Sequence, residues 1–269
     1  MKLSFAISIE PTRFGPMALS TDFWGSVAQL ASLGYQGIEI GVRDPAKFDI
    51  HQAKELLGKQ RLAVPVIGTV QAYLDDNLSF TDPGDSVREQ AILRVKSHIA
   101  LAREFNGLVG LGLLRGRLQR NVSTQQAHSW LLDALRKLAV EADSSDVRLA
   151  IEPINRYETD LLNTVSEALA LINEIDSGNV GILFDTFHSN IEEAQLDESL
   201  RACGTHLFHV HIADSNRLYP GAGHTDFKEV VSTLREINYS GWLSVEIMHR
   251  PDMATAAEQA MKFMKPLLG

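Results

Sequence analysis

Eight short apolar runs, separated by longer segments with helical spacing, recur along this 269-residue chain, and that alternation limits the folds open to it. The runs are Leu3–Ser8, Gly37–Val42, Leu62–Gly68, Leu108–Leu113, Arg148–Glu152, Val180–Asp185, Leu207–Ala213 and Trp242–Ile247. The intervening segments place apolar residues on one helical face; in "TVSEALALINEI" these are Val165, Ala168, Leu169 and Ile172. Thr164, with Glu167 three residues on, forms a capping box, and Asp22 and Ser123 can start helices in the same way. Strands alternating with helices imply parallel βαβ units. The count of eight and the length, close to the ~250 residues typical of the fold, favour a closed (β/α)8 TIM barrel. An open doubly wound sheet would often carry a Gly-rich turn after its first strand, where this chain has "IEPTRFGPM". No Pro- or Gly-rich linker divides the chain, so residues 1–269 read as one domain.

The bulk properties narrow the partners. A net charge of −9 argues against a nucleic-acid surface, and disfavours anionic substrates unless basic residues gather at the site. The single cysteine, Cys203, excludes an internal disulfide and fits a reducing compartment. No apolar run approaches the ~18 residues of a membrane span. The opening "MKLSFAISIEPTRFG" reads as a first strand rather than a signal peptide. A cytoplasmic protein with neither membrane nor nucleic-acid partner is expected, and a homo-oligomer stays open.

In such a barrel the chemistry sits at the C-terminal ends of the strands. The ends of strands five to eight carry Glu152, Asp185, His211 and Glu246, at separations of 33, 26 and 35 residues, each about one βα unit. One such carboxylate means little; four ligands at matching positions point into a common space. Three carboxylates and one imidazole form a hard, oxygen-rich set suited to one divalent ion, manganese foremost, with magnesium or cobalt as alternatives. Glu158, His188 and Arg217 follow three to six residues later on the same loops and can line the rim where a substrate would lie. Surface ion pairs and a satisfied loop histidine are the plainer alternatives for these three. His209 shares the face of His211 and reads as a buried, hydrogen-bonded histidine or a group supporting the ligands.

These residues lie in motifs with a known likeness. "IEPINRYETD", "GILFDTFHSNIEE" and "HVHIADSNRLYPGAGHTDF" resemble the sugar isomerase/epimerase superfamily with the xylose-isomerase-like barrel, and within it the D-tagatose 3-epimerase-like group. "MKLSFAIS", "EIGVRDP", "IGTVQAYLDDNLSFTDP" and "LGLLRGR" extend the likeness over the first half, most closely to the 5-keto-L-gluconate epimerase branch. The resemblance implies that Glu152, Asp185, His211 and Glu246 bind one divalent metal, with Glu152 and Glu246 doubling as acid and base. It implies that Glu158, His188 and Arg217 hold the substrate's carbonyl end. The reaction implied is 3-epimerisation of a ketose or keto-sugar acid: loss of the C3 proton to a metal-stabilised cis-enediolate, then reprotonation on the opposite face. Aldose–ketose or hydroxypyruvate-type isomerisation is the alternative on the same site. An abasic-site endonuclease and a non-catalytic sugar-binding module are more remote.

The substrate's far end is less constrained. Arg43 in "GVRDP" and Arg115 and Arg117 in "LLRGR" follow strands two and four, near the same mouth. Arginine's planar fork matches a carboxylate, so one of the three is expected to hold an acidic substrate group. The competing expectation is that they pair with Asp44, Asp75 or Asp76. The long polar stretch Ala72–Asp85 reads either as a lid or as a plain surface loop.

Overall fold

Each strand of the computed structural model, which describes residues 1–17 and 22–269, pairs in parallel with the next, and the eighth returns to the first. The strands are β1 (Lys2–Ser8), β2 (Gly37–Gly41), β3 (Val66–Gly68), β4 (Leu108–Leu111), β5 (Leu149–Ile151), β6 (Val180–Asp185), β7 (Leu207–Ile212) and β8 (Trp242–Val245). Closure sets Leu3 beside Leu243 and Phe5 beside Val245 across the β1–β8 seam. This is the (β/α)8 barrel that the alternation predicts.

The strand interiors follow the expected runs, and the differences lie at the ends. β3 begins at Val66 rather than Leu62, because Pro65 has no N–H to give a ladder; only an isolated bridge, Ala63 to Gly37, precedes it. Glu152 and Glu246 sit one residue beyond β5 and β8. The Glu152 N–H still donates to Leu111 O at 3.1 Å, which carries the strand geometry through to the carboxylate. The helix starts agree with the caps read from sequence: Asp22 accepts from Gly25 N, Ser123 from Gln126 N, and the Thr164–Glu167 capping box is complete.

Strand alternation divides the molecule into two environments. Phe5, Ile7, Ile38, Ile40, Ile67, Val109, Leu149, Ile182, Val210 and Leu243 are buried in one continuous cluster between sheet and helices. At ~25 cal/mol per Å² of apolar surface removed from water, that layer dominates the stability of the fold. The alternate residues face the lumen. There Val66, Leu108, Ala150 and Leu183 form a small separate apolar plug. Above it the lining turns polar and small, with Glu39, Gly68, Gly110 and Gly112 below the mouth. A Cβ at Gly110 would meet Val66 Cγ1 at 3.2 Å, a tight contact that would press on the plug.

Residues 72–85 are not a loose loop. They continue a short helix, Val70–Leu74, and bury Leu78 and Phe80. Asp76 receives Arg43 and Arg94, Asp75 receives Arg13, and Phe80 N donates to Leu114 O. These ties hold the stretch against the barrel rim. Among the described residues no helix is long and apolar enough to cross a membrane.

Candidate metal centre and active site

Four consecutive strand ends deliver Glu152, Asp185, His211 and Glu246 to the mouth of the lumen, and all four are buried. One ligand atom from each falls within 4.8 Å of the others, a set able to hold a metal ion. His211 Nδ1 lies 3.1 Å from Glu152 Oε1 and 3.8 Å from Glu246 Oε2. Asp185 ends β6 and caps the following helix, Thr186–Glu192, its Oδ1 accepting from Phe187 N at 2.7 Å. Its other oxygen, Oδ2, is buried with no hydrogen-bond partner. Gly112 makes room for the set: a Cβ there would stand 2.8 Å from Glu152 Oε2.

The electrostatics of this cluster fit a cation. Burial, reinforced by the charge of Glu152, pushes the Asp185 carboxyl up to about 6. Burial likewise raises Glu246 to about 8, with Glu152 and Asp185 adding repulsion that His211 and Arg217 only partly offset. Burial and the neighbouring charge thus disfavour the ionised forms of Asp185 and Glu246. A divalent ion held by these residues would relieve that penalty and give Asp185 Oδ2 the partner it lacks, and the donor chemistry suits a hard metal.

At the rim, Arg217 joins two elements of the site. Its Nη1 donates to Glu158 Oε1 at 2.8 Å and its Nη2 to Glu246 Oε2 at 3.1 Å. Its guanidinium lies between the rings of Phe14 and Phe187, at 5.2 and 4.8 Å. Arg217 holds a left-handed backbone (φ 59°) within a loop gathered by the Asp214 carboxylate, which accepts from the N–H groups of Ser215, Gly221 and Thr225. His188 Nδ1 accepts from Asn155 Nδ2 at 2.7 Å, so its proton sits on Nε2, 3.7 Å from Asp185 Oδ2. Burial, with the charge of Arg217 nearby, holds the His188 pKa well below its usual value, so the ring is neutral. Asn155 Nδ2 also reaches Glu158 Oε1 at 3.0 Å and so ties the rim groups together.

The three arginines read as carboxylate receptors have different placements. Arg43 is committed to Asp76, the pairing given above as its competing expectation. Arg115 is fully buried and donates to the carbonyls of Gly112, Leu161 and Leu162, where it braces the loops after β4 and β5. Burial lowers its pKa to about 10. Arg117 is exposed. None of the three is among the residues that line the pocket.

Two polar residues of the site escaped sequence reasoning. Glu39, mid-strand in β2, accepts from His211 Nε2 at 2.9 Å and lies 3.4 Å from His209 Nε2. A lone acid inside the apolar run "GIEIG" was the available signal. Asn155 lay within a motif already singled out, but nothing in its spacing marked it as the link between Glu158 and His188. His209 is buried and pairs with Ser244 Oγ at 2.8 Å.

The profile of the xylose isomerase-like TIM barrel family matches residues 27–267. An L-ribulose 3-epimerase of Methylomonas sp. (strain DH-1) is 32% identical over 226 residues, covering 82% of this chain and 77% of that protein. A 3-dehydro-D-guloside 4-epimerase of Escherichia coli (strain K12) is 40% identical over 114 residues, 42% of this chain and 44% of that one. A solved structure of L-ribulose 3-epimerase superposes with a TM-score of 0.83 at 26% identity, covering 98% of this chain and 94% of that one. The chain belongs to the xylose isomerase-like TIM barrel family. Within it, the chain matches the D-tagatose 3-epimerase-like group, and it is an isomerase of the epimerase type.

Proposed function

We propose that this protein is a metal-dependent 3-epimerase of a ketose or keto-sugar acid, with Glu152 and Glu246 as the proton-transferring pair. The observation that carries the reading is the buried four-ligand set, in which two of the ligands are glutamates from strand ends at different sides of one pocket. The sequence likeness to ketose 3-epimerases supports the carbon at which it acts.

Glu152, Asp185, His211 and Glu246 would hold the ion. When bound, it supplies Lewis-acid stabilisation of the negative charge that grows on the substrate's oxygens during proton loss. The rest is the work of side chains. Glu152 Oε2, above Gly112, faces the pocket and can take the C3 proton from one side. Glu246, from β8, can return a proton to the opposite face, and the roles exchange for the reverse reaction. The neutral His188 offers its Nε2–H to a substrate oxygen. Arg217, desolvated between two rings, keeps Glu246 and Glu158 in place and presents positive charge beside the carbonyl end. Phe14, Met17, Val70, Leu113 and Ile154 form an apolar wall that keeps water away from the reacting carbons.

Of the three arginines, Arg43 is paired with Asp76 and Arg115 is buried against backbone carbonyls, so the exposed Arg117 is the candidate receptor for a substrate carboxylate. This favours substrates of the 5-keto-L-gluconate or D-tagaturonate kind, with neutral ketoses such as D-tagatose and D-psicose as the comparison set. Aldose–ketose isomerisation would use the same carboxylates on the C1–C2 pair.

Deuterium exchange followed by NMR decides between these outcomes. The manganese-loaded protein is incubated in heavy water with each sugar, and spectra are taken after metal removal. Exchange at C3 with appearance of the C3 epimer is expected; exchange at C1 with an aldose product would make the enzyme an isomerase. No exchange in any sugar would overturn the reading.

A further inference from the structure

Behind the four ligands a chain of buried polar contacts descends the lumen. His211 Nε2 meets Glu39 Oε2 at 2.9 Å, and Glu39 Oε2 lies 3.4 Å from His209 Nε2. His209 Nε2 meets Ser244 Oγ at 2.8 Å, and Ser244 Oγ meets Ser4 Oγ at 2.6 Å on the neighbouring strand. All five residues are buried. A carboxylate this far from solvent is costly unless its partners are fixed, and no step of the proposed reaction uses Glu39. Its contact is with the imidazole nitrogen that points away from Glu152, Asp185 and Glu246.

We propose that Glu39 is a positioning residue for the metal centre: by accepting the Nε2–H of His211 it fixes the tautomer that presents Nδ1 to the ion. This rests on the reading that Glu152, Asp185, His211 and Glu246 hold the metal. The geometry is that of a carboxylate–histidine–metal triad, in which the outer carboxylate sets ring orientation and ligand basicity. Glu39, His209 and His211 could themselves hold an ion on Nε2. The four-residue set is preferred because it includes the orphaned Asp185 Oδ2 and draws its ligands from four successive strand ends. His209 and Ser244 then serve as the buttress that keeps Glu39 from turning toward the ion.

Two measurements test this apart from activity. The first is ¹⁵N–¹H NMR of the wild-type protein labelled at histidine, free and loaded with diamagnetic magnesium. The expected spectrum has His211 protonated at Nε2, with Nδ1 as the nitrogen whose shift moves on magnesium binding. A proton on Nδ1 and a metal on Nε2 would overturn the assignment; no magnesium- or manganese-dependent change in any ligand residue would instead sink the metal reading beneath it. The second is manganese affinity of Glu39→Gln, which keeps an acceptor for Nε2–H but removes the charge. A loss of about 10- to 100-fold is expected at an unchanged far-UV circular dichroism spectrum. Wild-type affinity in a folded Glu39→Gln protein would refute the positioning role and leave the four-ligand site intact.

Discussion

The outward and inward faces of the barrel are made from the same eight segments, often from adjacent residues, yet they obey opposite rules. Ile38 and Ile40 pack against helices while Glu39 between them faces the lumen. Phe184 lies in the outer layer and Asp185, the next residue, opens on the mouth. Outside, every side chain gains by leaving water. Inside, charged groups have been brought together at a cost that a fixed hydrogen-bond network relieves in part and that a cation held by the four-residue set would relieve further. Stability therefore resides mainly in the outer layer and chemistry in the inner one, and substitutions on the two faces should fail differently.

The largest separation is expected from the carboxylates. Replacing Glu152 or Glu246 with Gln should lower kcat about 10²- to 10⁴-fold, the usual worth of a positioned acid or base. The melting temperature of the metal-free protein should stay level or rise, because one member of a crowded set has lost its charge. A variant that lost stability instead would break the division of labour. The converse test is Phe5→Ala in the outer layer, where the ring is fully buried and meets Tyr35 edge-on at 5.5 Å. Denaturant unfolding should register a loss of about 3–5 kcal/mol, with kcat per folded molecule unchanged. A fall in kcat would show that the two faces are coupled.

Metal removal and pH sharpen the comparison. Glu246 is raised from 4.5 to about 8 and Asp185 from 3.8 to about 6 in the metal-free fold. A raised carboxyl contributes stability that is complete below its unfolded pKa and lost as pH climbs through the folded one. For these two groups the loss runs between about pH 4 and 8, and metal binding, which needs the ionised forms, competes with protons over the same window. The melting-temperature gain on adding manganese should thus grow from pH 5 to pH 8. At an ion concentration 100 times Kd the added unfolding free energy should approach about 2.7 kcal/mol. A gain independent of pH would mean that the ion binds elsewhere. The smallest effect belongs to Arg117→Gln, expected to raise KM about tenfold for acidic sugars, about 1.4 kcal/mol, and to leave neutral ketoses unaffected. Unchanged discrimination between the two sugar types would remove Arg117 from the site.

Much of this was readable from residue order because βαβ units repeat. Each unit brings its strand end to the same mouth, so Glu152, Asp185, His211 and Glu246 could be picked out by their intervals alone. The capping box at Thr164 and the caps at Asp22 and Ser123 were equally local, being set by residues three positions apart. The arginines were harder, since charge and nearness to a strand end do not say where a long side chain goes. Arg115 turned to backbone carbonyls 46 and 47 residues away, and Arg43 to Asp76. The stretch 72–85 looked free because its tethers come from other segments: Arg13 and Arg43 from loops, Arg94 from the helix Asp85–Glu104.

Residue order by itself therefore determined the barrel and the four groups, Glu152, Asp185, His211 and Glu246, that its last four units bring to one mouth, because both depend on periodicity within one unit. The contact of Glu39 with His211, across 172 residues, and the bridge from Glu158 through Arg217 to Glu246 were decided only by tertiary structure. Closing the sheet on itself brings β2 within reach of β7 across the lumen, and only in that enclosed space must each buried charge find a partner from a distant segment.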